Sequence, residues 1–156
     1  MYDILALCKV CNVMRASGER KGEPFSVRLS ASTDRLVRAE AQRSSRSKSA
    51  IVEGLTEESA RARRFPGIGF RGEDWSRRPW VIGSGLDVWE IVHMLENFGG
   101  PEELVAGSQL DERQVRLALA YRDEYQGEID AAIAENRRPV EDWRALYPFI
   151  AFEPAG

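Results

Sequence analysis

Two cysteines, a single histidine and a few glycine-flanked turns are the residues of this 156-residue chain that could do chemistry by type. Cys8 and Cys11 have the spacing of a thiolate pair, but zinc takes four ligands, and neither a second cysteine pair nor a nearby histidine completes the set. A redox pair would sit where a strand turns into a helix, a setting that residues 1–22 lack. The two thiols therefore read as incidental, too few for a disulfide framework and suited to a reducing, cytoplasmic compartment. His93 lies off the apolar stripe of Val88, Ile91, Val92 and Leu95 and reads as a surface residue. Gly67-Ile68-Gly69 and Gly83-Ser84-Gly85 are not followed by the Lys-Ser/Thr of a phosphate loop, so they read as turns. Glu102-Glu103 and Asp123-Glu124 are adjacent along helices, where neighbouring side chains diverge. No catalytic residue, metal site or cofactor is expected, and an enzyme is disfavoured.

Charge is distributed unevenly. Residues 1–84 carry 16 Lys and Arg against 10 Asp and Glu, whereas residues 85–156 carry 6 against 15. The basic half suits phosphates and the acidic half repels them, unless both are simply solvated surface. Within the basic half, residues 25–30 alternate strictly. Phe25, Val27 and Leu29 fall on one face, and Ser26, Arg28 and Ser30 on the other. A lone strand cannot satisfy its backbone groups or bury one apolar face, and the helical stretch that follows offers no partner strand. A second copy of the chain supplies one. The resulting antiparallel ribbon leaves Ser26 and Arg28 outward, in a shape that fits the major groove of DNA, where arginine donates twice to guanine.

The elements that position these residues are mainly helical. Residues 1–22 show no sustained period and read as a flexible tail. Ser32 is a candidate N-cap for a helix near residues 33–43 with Leu36, Val37 and Ala41 on its face, and the hydroxyl-rich run Ser44 to Ser47 breaks it. From Lys48 a second helix carries Ile51, Val52 and Leu55 and ends among Arg61, Arg63 and Arg64. Residues 68–70 and 80–82 are candidate strands of a hairpin. Three or four short helices follow: one on Val88, Ile91, Val92 and Leu95, a brief one opened by Pro101, one capped by Asp111 and lined by Leu110, Gln114, Leu117, Ala118, Tyr121 and Tyr125, and one on Ile129, Ala132 and Ile133.

The run PFSVRLSASTDRLVRAEAQRSSRSKSAIVEGLTEESA at residues 24–60 resembles the ribbon-helix-helix family of dimeric repressors and antitoxins. The resemblance implies that the base-reading positions fall on Pro24, Ser26 and Arg28, and the phosphate clamp on Ser47, Lys48 and Ser49. A helix N-terminus bearing hydroxyls and a lysine is also a sound anion site on physical grounds. Pro24 departs from the polar residue usual at its position. A second stretch, residues 65–138, is similar to a helix-turn-helix-like family, number four-three-three in the series of domains of unknown function. It is carried by GSGLDVW and VRLALAY, and its members resemble antitoxins encoded beside PIN-like nuclease toxins. That fold suggests DNA binding, but the acidic balance argues instead for a dimerisation or toxin-contact role.

The expected architecture is thus a tail (1–22), a ribbon-helix-helix domain (23–64), a helix-turn-helix-like domain preceded by a hairpin (65–138) and an aromatic C-terminal tail (139–156). In that tail Pro139, Pro148 and Pro154 prevent one continuous helix, favouring an extended strap that either folds back on its own domain or is held for a partner. Trp143, Leu146, Tyr147, Phe149, Ile150 and Phe152 are its candidate toxin-binding residues. The resemblances together imply an antitoxin that binds operator DNA as a homodimer, and as a higher oligomer if dimers pair. It would neutralise a PIN-like nuclease toxin and have no membrane association. The alternative is a stand-alone transcriptional regulator without a toxin partner.

Overall fold

The computed structural model describes residues 23, 26–73 and 76–149. Among them are seven helices and one antiparallel hairpin, so the chain is mainly helical, and no helix is long and apolar enough to cross a membrane. It divides into two units between Arg35 and Leu36. In the first, residues 26–30 belong to no helix or strand. The Ser30 hydroxyl accepts from the Thr33 amide at 3.2 Å and lies within 3.0 Å of the Ser32 and Thr33 hydroxyls. Helix α1 (Ala31–Ser44) therefore starts two residues earlier than expected. Ser30 provides the cap, and Ser32 lies inside the first turn.

In the second unit α1 is followed by Ser45, which takes the left-handed conformation (φ 54°). The Arg46 amide reaches back to the Ala41 carbonyl at 3.1 Å, and the Ser44 hydroxyl donates to the Glu40 carbonyl at 2.7 Å. Helix α2 (Lys48–Arg64) follows at once, its N-cap Ser47 in extended backbone and accepting from the Ala50 amide at 3.2 Å. Strands β1 (Ile68–Arg71) and β2 (Arg78–Val81) pair with Ile68 opposite Val81 and Gly69 opposite Trp80. Gly69 lies in a strand, not a turn. A Cβ there would stand 2.7 Å from Trp80 Nε1, so only glycine lets the indole lie across the hairpin.

Four helices complete the core: α3 (Val88–Phe98), α4 (Pro101–Gly107), α5 (Glu112–Glu124) and α6 (Gln126–Asn136). Val88, Ile91 and Val92 of α3 pack with Leu104, Leu110, Val115, Ala118, Tyr121, Ile129 and Ile133, and the hairpin adds Ile68 and Val81. Asp87 caps α3 and is buried. Arg71 Nε donates to its carboxylate at 2.6 Å, and Arg78 Nε lies 3.1 Å from the other oxygen. On α5 the buried face is Val115, Ala118 and Tyr121. Ala118 and Tyr121 are buried as expected, Leu117 is partly buried against the core, and Val115 takes the place expected of Gln114, which is engaged in the capping box with Asp111. Beyond α6 a further helix, α7 (Val140–Leu146), opens after Pro139 and has no buried residue. The expected extended strap is thus helical over that span, since proline before the first turn starts a helix as readily as it breaks one.

Candidate nucleic-acid and partner surfaces

Ser26 and Arg28 are exposed, and Arg28 forms no ion pair among the described residues. Pro24 lies outside them. Ser47, Lys48 and Ser49 are exposed at the start of α2, where the first-turn amides point along the axis and favour an anion. Ser26 and Arg28 belong to the first unit and Ser47, Lys48 and Ser49 to the second.

Internal pairing narrows the basic surface. Arg71 and Arg78 are held by Asp87, Arg77 Nε donates to Glu58 at 2.7 Å, and Arg64 Nη2 to Glu124 at 2.9 Å. Arg61 is engaged more fully. Its Nη1 donates to Glu128 at 2.6 Å and to the Tyr121 hydroxyl at 2.9 Å, its Nη2 to Glu57, and its guanidinium lies 4.1 Å from the centre of the Tyr125 ring. Phe65 packs edge-on against Tyr121 and Tyr125 at 5.2 and 6.1 Å. The arginines of residues 61–78 therefore do structural work at the joint between α2, the hairpin and the bundle, with Arg63 outside these pairs.

Burial opposes the charge on Arg61, yet Glu128 and Tyr121 together hold its pKa above the ordinary arginine value. The Tyr121 hydroxyl is likewise raised above the usual tyrosine range, by burial first and then by the negative charge of Glu128, with Arg61 opposing. A raised acid pKa means that the folded chain keeps a proton which the unfolded chain releases above about pH 10. The contribution is complete below that pH and falls as pH rises beyond it. A circular-dichroism titration between about pH 8 and pH 12 is expected to show stability declining from about pH 10, and less steeply in Tyr121→Phe; identical slopes would contradict this origin.

Toward the C-terminus, His93 is half-buried rather than on the open surface. Its Nδ1 lies 3.0 Å from Arg137 Nη2, and Glu96 pairs with the same guanidinium. This fixes the residue just ahead of α7. Arg138 then lies 5.2 Å over the Trp143 ring, Trp143 stacks on Tyr147 at 5.8 Å and 17°, and Tyr147 meets Phe149 edge-on at 5.9 Å. Phe149 is 81% exposed, and Leu146 and Tyr147 are also exposed. Ile150 and Phe152 lie outside the described residues, as do Cys8 and Cys11. Among the described residues no group of three or more His, Cys, Asp or Glu side chains is arranged to hold a metal.

Comparison of the chain with protein-family models, with curated proteins and with solved structures finds no match.

The Arg61 joint escaped the sequence reading, which took the arginine as a charge at a helix end. Its partners Tyr121 and Glu128 are 60 and 67 residues away. The only sequence signal was the clustering of arginines before a proline-glycine turn.

Proposed function

We propose that the chain is the antitoxin of a type II toxin-antitoxin pair, a homodimer whose N-terminal ribbon-helix-helix region binds operator DNA and whose C-terminal half neutralises a PIN-like nuclease toxin. The observation that carries the reading is a set of apolar residues left open in a single chain. Leu36 on α1 is 72% exposed and Leu55 on α2 is 52% exposed, and Val27 in the preceding alternating segment is 60% exposed. These residues fall on the faces that the periodicity assigns to burial, and a second copy is the natural cover. A dimer built on them would pair residues 25–30 of two chains and bring each Arg28 to a base edge. The start of α2, with Ser47, Lys48 and Ser49, would take a phosphate.

The C-terminal assignment is supported by α7. A short helix that buries nothing of its own, with Trp143, Tyr147 and Phe149 in one ring array, supplies residue types common at interface hot spots. Cutting the chain after Arg138 tests it. Because α7 adds no side chain to the core, the truncated protein is expected to melt like the full chain and to keep its DNA affinity, while inhibition of the nuclease falls at least tenfold, about 1.4 kcal/mol. Unchanged inhibition would refute the role of the tail, and loss of cooperative melting would show that it belongs to the fold.

A further inference from the structure

The acidic half poses an electrostatic problem for a DNA-binding protein. Residues 85–156 carry 15 Asp and Glu against 6 Lys and Arg, and placed beside phosphates they would oppose binding. Helix α2 has the geometry to prevent this. It opens at Lys48 and is gripped at its other end, where Glu58 meets Arg77, Arg61 meets Tyr121 and Glu128, Arg64 meets Glu124 and Phe65 packs on two tyrosine rings. Thirteen residues separate Lys48 from Arg61, or about 20 Å at roughly 1.5 Å per residue. A helix N-terminus that receives an anion points its axis at it, because the amide N–H groups lie parallel to that axis, so the remainder of the helix runs away from the anion.

We propose that α2 is a rigid strut that stands the acidic bundle off the DNA, beyond the reach of its charge. The inference rests on the phosphate contact assigned above to Ser47, Lys48 and Ser49. A separation of about 20 Å exceeds two screening lengths at physiological salt, where the Debye length is about 8 Å. The grip on Arg61 is what makes the strut stiff. Glu57 from its own helix, Tyr121 and Tyr125 from the end of α5 and Glu128 from α6 surround one guanidinium, so the end of α2 cannot swing without breaking several contacts at once.

The test neutralises exposed bundle acids that make no ion pair among the described residues, as Glu102→Gln, Glu103→Gln and Asp123→Asn in one full-length variant. Wild type and variant are titrated onto a mixed-sequence duplex of about 40 base pairs at several salt concentrations between about 50 and 200 mM. The strut predicts affinities within about twofold and equal slopes of log affinity against log salt, despite the loss of three negative charges. A rise of about tenfold or more in affinity, or a changed slope, would place those acids near the phosphates and overturn the strut while leaving DNA binding intact. Failure of the wild-type chain to bind at the lowest salt would overturn the DNA-binding reading itself, and the strut with it.

Discussion

Replacement of Leu36 or Leu55 by glutamate is expected to dissociate the protein into single chains and to abolish DNA binding, with the bundle of α3 to α6 still folded. In one chain these leucines face solvent, and an exposed leucine exchanged for a charged residue ordinarily changes stability by no more than about 0.5 kcal/mol. If each is covered by a second copy, the outcome is different. Burying a leucine contributes about 1.5 to 3 kcal/mol, a twofold axis counts the loss twice, and a buried unpaired carboxylate adds to it. The dimer should weaken on the order of a hundredfold or more, since each 1.4 kcal/mol is about a factor of ten. Sedimentation across a concentration series checks this. A variant that sediments like wild type would show that the face is not an interface. The residues of the core cluster lie between Ile68 and Ile133, so the near-ultraviolet signal of Tyr121 and its neighbours should survive the dissociation.

The second large effect is expected at Arg61. Its alanine variant leaves the Tyr121 hydroxyl, which sits on a fully buried side chain, without its donor, and strips Glu128 of its closest cation. Leaving the buried Tyr121 hydroxyl without its donor costs about 1 to 3 kcal/mol, the more exposed carboxylates of Glu57 and Glu128 add little to it, and the ring contact with Tyr125 is lost as well. Arg61→Lys keeps the charge but cannot reach a carboxylate, a hydroxyl and a ring face at once, so it should recover less than half of the loss. Denaturant unfolding of both variants measures the difference. Full recovery in the lysine variant would mean that the joint depends on charge alone.

How much of this could be read from residues in order depends on the range of the interactions that decide each element. Helix α2 is legible from Lys48 to its arginine-rich end, because an Ile51-Val52-Leu55 stripe and a basic last turn act within one helix. The stripe of α3 was legible for the same reason, as was the cap of α5 at Asp111. The start of α1 was misplaced because Ser30, Ser32 and Thr33 all carry oxygens able to cap, and only the backbone settles which one does. On α5 Ala118 and Tyr121 are legible from the helical period and Val115 is not, because Gln114, one position before it, fits the same spacing but is engaged in the capping box with Asp111. Helix α7 is not legible because a proline reads equally as the breaker of one helix and the first-turn residue of the next. The candidate DNA-contact residues follow from local pattern and from a resemblance. The Arg61 joint requires side chains more than fifty residues apart and has no local signature.

The central claim is that a dimer reads operator DNA through Arg28. The most direct measurement is a fluorescence-anisotropy titration of a duplex taken from immediately upstream of the protein's own coding region, alongside a scrambled duplex, with wild type and Arg28→Ala. Wild type is expected to bind the upstream duplex at two chains per site and to prefer it over the scrambled one. Arg28→Ala should lose about 1 to 3 kcal/mol of that preference, the value of one bidentate guanine contact. Equal binding of both duplexes by wild type, or an Arg28→Ala preference identical to that of wild type, would contradict the account.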